Sequence, residues 1–289
     1  MKLAWLTDIH LNFLEQYRRI LFYEEIKDAE IDAVMITGDI GEANCSDYFL
    51  LEMQMTIQKP IYFVLGNHDF YNGSVRAVRS KMEKLNQISH DLVYLTNRST
   101  QFFRLSNTAS VLKTAILGVD GFADARNGNY KGTTIELNDS RYIHELSMER
   151  TRRCGMGMTD GDNDPVFEAM RLLADEDAKN LDEKIKCAIN KRTAETEALQ
   201  IIIATHVPPF EQLAFYRGKV SGQDFLPFYT SKATGDVLLA AAKANPNVIF
   251  NVYCGHSHGA ANTMILPNLG GECGQADYMY PKIQKVIHV

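Results

Sequence analysis

Ile61-Tyr62-Phe63-Val64-Leu65-Gly66-Asn67-His68-Asp69 is a run of apolar, largely β-branched and aromatic residues that stops at a glycine followed by three side chains able to hold protons or metals. A short apolar run bounded in this way reads as a buried strand, and its polar cluster falls where the strand gives way to a loop. A turn accounts for Gly66-Asn67 but not for His68-Asp69. The same arrangement recurs along the chain. Leu3-Ala4-Trp5-Leu6-Thr7 runs into Asp8-Ile9-His10, and Ala33-Val34-Met35-Ile36-Thr37 into Gly38-Asp39. Ile201-Ile202-Ile203-Ala204-Thr205 runs into His206, and Val248-Ile249-Phe250-Asn251-Val252-Tyr253-Cys254 into Gly255-His256-Ser257-His258. Open α/β sheets build their sites at the carboxyl ends of strands, which is where each cluster lies.

The segments between these runs set the architecture. Helical periodicity over roughly Phe13 to Asp28, near Asp47 to Ile57 and near Val75 to Ile88 gives a βαβαβ order and therefore a mainly parallel sheet. From Leu92 to Gly121 the pattern shortens to strand-like pieces, Leu92 to Leu95, Gln101 to Leu105 and Ser110 to Val119, which predicts a second sheet. Phe122 to Asp164 is rich in Gly, Asn, Asp and charge and reads as a loop-rich stretch with a helix near Asp139 to Arg150. Pro165 then opens a long amphipathic helix to about Thr196. Its apolar stripe, Met170, Leu173, Ala174, Ala178, Leu181, Ile185, Ala188 and Ile189, suits packing on a sheet. A helix at Lys232 to Ala244 and strand-like pieces near Asn262 to Leu266 and Ile283 to Val289 close the chain. The expectation is one domain over 1–289 with an insertion at about 122–198.

Composition bounds the function without naming it. The chain has 289 residues, 45% of them hydrophobic, enough for a sizeable core. Thirty Lys plus Arg against thirty-six Asp plus Glu give a net charge of -6 with no basic tract, which argues against long nucleic-acid substrates. Five scattered cysteines, Cys45, Cys154, Cys187, Cys254 and Cys273, show no Cys-x-x-Cys spacing and read as free thiols of a reducing compartment. One lysine and a five-residue apolar run before Asp8 are too short for a signal-peptide core or a membrane span, so the expected location is the cytoplasm.

Each motif alone is weak evidence. Asp8-Ile9-His10 puts a carboxylate and an imidazole within reach of one cation, because residues two apart in an extended chain face the same side. Gly38-Asp39 alone fits a turn glycine and a helix-capping aspartate equally well. His206, followed by Val207-Pro208-Pro209, alone fits a structural residue at a strand stopped by proline. Two histidines in Gly255-His256-Ser257-His258 suit metal capture better than either would alone.

Taken in order, Asp-x-His, Gly-Asp, Gly-Asn-His-Asp, His and Gly-His-x-His resemble the motif set of the calcineurin-like metallophosphoesterases, across residues 8 to 258. The resemblance implies an α/β fold, a four-layer α/β/β/α sandwich of two mixed β-sheets flanked by helices, with a two-metal centre at one edge. By position it implies that Asp8, His10 and His258 hold one metal, that Asn67, His206 and His256 hold the other, and that Asp39 bridges them. His68 matches the family's non-ligand histidine. Many members carry a second acid three residues after the bridging aspartate. Here that residue is Glu42, read as orienting His68. The Asp-Arg-Gly continuation typical of the protein Ser/Thr phosphatases is missing, which argues against a phosphoprotein substrate.

The chemistry agrees with these assignments. Two cations about 4 Å apart, sharing Asp39 and a water, lower the pKa of that water until a bridging hydroxide forms near neutral pH. In-line attack on phosphorus then needs an acid for the leaving alkoxide, the role given to His68. Imidazole, carboxylate and amide ligands suit Mn, Fe or Zn in the divalent or trivalent state, with Mn the first choice. The expected substrate is a soluble small-molecule phosphoester, mono- or diester. The alternatives are a metal-binding scaffold for protein partners, for which loss of ligands or of the acid would be expected, and a nuclease of the same fold, for which a basic groove would be. Arg217, Lys219 and Arg126 are candidate clamps for phosphate oxygens. Phe70 and Tyr71 are either loop anchors or a stacking surface for an aromatic leaving group.

Overall fold

The computed structural model describes residues 1–98, 101–105, 112–156, 164–191 and 198–289. The first sheet begins with β1 (Lys2–Leu6), α1 (Gln16–Asp28), β2 (Ala33–Thr37), α2 (Ser46–Ile57), β3 (Ile61–Val64), α3 (Val75–Ile88) and β4 (Leu92–Tyr94). β1 to β4 pair in parallel, as the strand-helix alternation predicts. The second sheet begins with β5 (Gln101–Leu105) and β6 (Leu112–Gly118), which pair antiparallel. The expected strand from Ser110 to Val119 lies partly outside the described residues.

The stretch from 122 on carries α4 (Asp139–Tyr142), α5 (His144–Met156) and the long α6 (Pro165–Asn190). Asp164 caps α6 by accepting from the Val166 N–H at 2.9 Å, and Pro165 occupies the first turn, where no amide donor is needed. The end expected near Thr196 lies outside the described residues. The predicted stripe is the buried face of this helix. Val166, Phe167, Met170 and Ala174 join the core of the first sheet, and Leu181, Ile185 and Ala188 that of the second, so α6 spans both.

One helix was expected from Asp139 to Arg150, but there are two. The break is at Ile143, whose backbone is extended (φ -89°, ψ 121°) and which forms a bridge with Gly73, the residue two before α3. Burial of the Ile143 side chain in the first core outweighs the local helical tendency.

The chain closes with β7 (Leu199–Ala204), a hairpin of β8 (Phe215–Tyr216) and β9 (Lys219–Val220), α7 (Leu226–Tyr229), α8 (Lys232–Ala244), β10 (Val248–Cys254), β11 (Ala261–Leu266), β12 (Leu269–Cys273) and β13 (Lys285–His288). The second sheet runs β11-β12-β10-β7-β6-β5, and β13 returns to the first sheet antiparallel to β1. Pattern reading missed β12, because Gly270 and Gly271 have low strand propensity. It also missed the β8/β9 hairpin, although Arg217 and Gly218 (φ 49° and 80°) form the positive-φ pair that two-residue hairpin loops require.

Both sheets are mixed and they face one another. Leu3, Trp5, Met35, Tyr62 and Val64 of the first meet Ile116, Ile202, Ala204 and Tyr253 of the second in a closed apolar layer. The alternate residues Ala4, Leu6, Val34, Ile36 and Phe63 face α1 to α3, while Ile201, Ile203, Phe250 and Val252 face α6 and α8. This is the four-layer α/β/β/α sandwich. No helix among the described residues is long and apolar enough to cross a membrane.

Candidate metal centre

The loops after β1 and β2 are tied together by backbone bonds, Asp8 N–H to Gly38 O at 3.1 Å and His10 N–H to Asp39 O at 2.9 Å. This brings the Asp8, His10 and Asp39 side chains to one place. His258 arrives from the loop after β10, because the His256 N–H donates to the Asp8 carboxylate at 3.0 Å. Space for these contacts is made by glycine. A Cβ on Gly255 would overlap the Asp8 carboxylate, and one on Gly66 would overlap Asp39. Asp8, His10, Asp39, His256 and His258 all have positive φ, between 41° and 69°. Non-glycine residues seldom hold this conformation, and tertiary contacts enforce it at functional sites.

Asp8, His10, Asp39 and His258 form a group whose ligand atoms all lie within 4.8 Å of one another. Within it, His258 Nε2 is 3.4 Å from Asp8 Oδ1, and His10 Nε2 is 3.5 Å from His258 Nε2 and 3.7 Å from Asp39 Oδ2. Beside it lies a second group. Asn67 Oδ1 is 3.0 Å from both His206 Nε2 and His256 Nδ1, and His206 Nε2 is 3.4 Å from Asp39 Oδ1. Asp39 therefore presents one carboxylate oxygen to each group.

The donor set fits cations. His206 Nδ1 faces the Thr37 carbonyl at 2.9 Å and His256 Nε2 faces the Phe228 carbonyl at 2.9 Å. Carbonyls only accept, so these nitrogens carry the protons and the other ring nitrogens turn bare lone pairs inward. Lone pairs of two imidazoles, an amide oxygen and a carboxylate converging on one point repel unless positive charge sits among them. The electrostatics carry the same imprint. Burial favours the neutral form of Asp8, yet the imidazoles of His258, His206 and His10 hold its carboxyl far below the usual range. Burial likewise opposes ionised Asp39, and His206, His68 and His10 outweigh it. Burial, with His68 and His258 adding to it, pushes His10 down to about 4 against the pull of Asp39 and Asp8, whereas His206 is raised against its burial by Asp39 and Asp8, and His258 by Asp8.

Asp69, the last residue of the quoted stretch, was given no role of its own from sequence. It is fully buried and accepts from the N–H groups of Ile40 (3.1 Å), Gly41 (2.9 Å) and Gly66 (2.9 Å) and from the Ser46 hydroxyl (2.6 Å). It ties the loops that carry Asp39 and Asn67, while burial and the nearby Asp39 charge push its pKa up to about 6.

His68 stands at the rim, its ring stacked on Tyr71 at 4.3 Å and edge-on to His10 at 4.7 Å, and its backbone N–H donates to Asp39 Oδ1 at 2.9 Å. The expected orienting contact from Glu42 is not made. The Glu42 carboxylate accepts from the amides of Asn72 (3.0 Å) and Asn12 (3.5 Å), and His68 Nδ1 is buried without a hydrogen-bond partner. The loop after β2 turns the glutamate side chain toward those asparagines instead. Arg126 is also placed differently from expectation. It forms two bonds to Asp175, at 2.7 and 2.8 Å, and one to Asp124, which leaves it no role at the metal groups. Arg217 lies over the Tyr216 ring, and Lys219 lines the cleft. Phe70 is a buried anchor against Phe122.

That cleft, of about 590 Å³, opens over Asp39, Asn67, His68, His256 and His258. Tyr71, Phe225, Tyr229 and Tyr278 form apolar walls. Tyr278 packs over His10 at 4.6 Å and His258 at 5.2 Å, and burial pushes its hydroxyl up to about 12. Sequence gave no signal for Tyr229, Tyr278 or Asp139, since each is remote from the strand-end motifs.

Among solved structures, a phosphopantetheinyl hydrolase from Mycobacterium tuberculosis is similar at 12% identity, with a TM-score of 0.60, covering 96% of this chain and 89% of that one. A dimetal phosphatase from Danio rerio is similar at 13% identity, with a TM-score of 0.51, covering 95% and 87%. These likenesses concern the fold. No curated protein matches the chain. Residues 1–260 match the model of the calcineurin-like phosphoesterases, and the chain belongs to that family of metal-dependent phosphoric ester hydrolases.

Proposed function

We propose that the protein hydrolyses a soluble small-molecule phosphoester with two cations held by Asp8, His10 and His258 on one side and Asn67, His206 and His256 on the other. Asp39 bridges them. The observation that carries this reading is the Asp39 carboxylate, which has one oxygen 3.7 Å from His10 Nε2 and the other 3.4 Å from His206 Nε2. When bound, such a pair supplies an activated water and neutralises phosphate charge. His68 holds the proton given to the leaving group, at a ring fixed by its stack on Tyr71 and by its place on the cleft wall. The apolar walls formed by Tyr71, Phe225, Tyr229 and Tyr278 contact the organic part of the ester and exclude water from the reacting phosphate.

Lys219 is the lone Lys or Arg lining the cleft among the described residues, which supports a small ester over a polynucleotide. Because lining residues run from Asp39 to Tyr278, we take 1–289 as one catalytic unit, and the free cysteines favour the cytoplasm. The test is a parallel assay of p-nitrophenyl phosphate and bis-p-nitrophenyl phosphate with Mn²⁺, Zn²⁺ or chelator, on the wild type and Asp39→Asn. Turnover with Mn²⁺, lost in the variant together with bound metal, is expected. No turnover of either ester with any metal would favour the scaffold reading.

A further inference from the structure

The amide of Asn67 has two ends with opposite needs. Its Oδ1 faces His206 Nε2 and His256 Nδ1, each at 3.0 Å, while its Nδ2 donates to Asp139 Oδ1 at 2.8 Å and to the Tyr71 hydroxyl at 3.2 Å. The Tyr71 hydroxyl donates in turn to the same Asp139 oxygen at 2.6 Å. An ionised carboxylate only accepts, so it can face the NH₂ end and not the carbonyl. Without it, the two ends of the amide are nearly equivalent in shape, and nothing else at Nδ2 but a hydroxyl, which both donates and accepts, would select between them. Donation to a charged acceptor also draws electron density toward Oδ1 and strengthens it as a ligand.

Asp139 comes from the stretch whose purpose the sequence left open, and the fold places it with care. The break at Ile143 bridges Gly73, the Asn72 N–H donates to Tyr142 O at 2.8 Å, and the His144 N–H donates to Gly73 O at 3.0 Å. These contacts dock α4 against the loop that carries Asn67 and His68. Ion pairs of Glu136 with Arg141, Arg150 and Arg153 brace the same segment from outside.

We propose that Asp139 is a positioning residue which, with Tyr71, locks the orientation of the Asn67 amide and so sets the affinity of the second half of the metal centre. The inference rests on the reading of Asn67 as a ligand of the second cation. It gives the inserted segment a definite task, because the sandwich alone supplies the ligands while α4 determines which atom of Asn67 they include.

Calorimetric titration of metal-free protein with Mn²⁺ tests this on the wild type, Asp139→Ala, Asp139→Asn, Tyr71→Phe and Arg150→Ala. The wild type is expected to show two binding events. In Asp139→Ala the event belonging to Asp8, His10 and His258 stays within about twofold, and the other weakens about 10- to 100-fold, the range for loss of a partner behind a metal ligand. Asp139→Asn falls between, since a second amide accepts either end of the first, and Tyr71→Phe has the smallest effect of the three. Arg150→Ala loosens the brace from outside, leaves the first event within about twofold and weakens the second by less than Asp139→Ala does. Two unaltered events in Asp139→Ala, equal weakening of both, or a larger selective loss in Arg150→Ala than in Asp139→Ala would each overturn the inference while leaving the two-metal reading standing. A single event in the wild type would overturn both.

Discussion

At the scale of single residues, the centre is built from side chains on strained backbone. Five of the residues that converge there hold positive φ without being glycine, each in a loop tied by hydrogen bonds to the next. Strain of this kind costs about 1–3 kcal/mol per residue and persists because the surrounding contacts outweigh it. His68 differs from its neighbours in this respect. It sits in a short helical turn, His68–Phe70, and lines the cleft with its ring instead of joining the buried group of Asp8, His10, Asp39 and His258. His68→Ala is therefore expected to keep its metals, measured by elemental analysis, and to lose about 10² to 10⁴ in kcat. Metal loss equal to that of Asp39→Asn would show that the ring is a ligand and not an acid.

Among the elements, α3 and α6 carry a buried charge network that fixes the ends of two strands. Arg79 of α3 donates to Asp120 Oδ2 at 2.9 Å and to Asp177 Oδ1 of α6 at 2.6 Å, while Asp120 accepts the Leu65 N–H at 2.9 Å just before Gly66-Asn67. Both carboxylates are fully buried, and burial pushes Asp177 up to about 6 against the pull of Arg79. Removing the cation leaves two carboxylates in the interior with hydroxyl and amide donors and the nearby buried Lys184 ammonium. Arg79→Met is expected to lower the free energy of unfolding by about 3–5 kcal/mol, the cost of breaking a buried pair from one side. A urea unfolding curve would show it, and a shift below 1 kcal/mol would mean that the network reorganises without cost.

Across the whole molecule, the two sheets close on an apolar layer that is independent of the proposed metal ligands, and those side chains come from loops of both sheets. Cations that bind the folded chain and not the unfolded one add stability by mass action. At free metal 100-fold above the dissociation constant this amounts to about 2.7 kcal/mol for each site. Chelation is thus expected to lower the thermal midpoint without abolishing cooperative unfolding, because the inter-sheet layer remains. Scanning calorimetry with Mn²⁺ and with chelator checks this. An unchanged midpoint would mean that the loops gain nothing from the metal.

The assignment of metal ligands and of His68 as the acid came from the family resemblance and belongs to the proposal, whereas the sequence by itself determined the strand ends and the polar clusters that follow them, because short apolar runs stopped by Gly, Asp, Asn and His read as buried strands giving way to loops. It also gave α6 in outline, since a stripe at helical spacing is local information. The partners of side chains in space were beyond it. Glu42 lies three residues from Asp39 in sequence, yet the loop after β2 turns its carboxylate to Asn12 and Asn72. Asp139 lies 72 residues from Asn67, yet its carboxylate accepts from the Asn67 amide at 2.8 Å. Sequence patterns record which face of an element is apolar. Which distant loop closes over a polar group is decided when α4, the β8/β9 hairpin and the segment of Tyr278 pack against the sandwich, and that packing is tertiary.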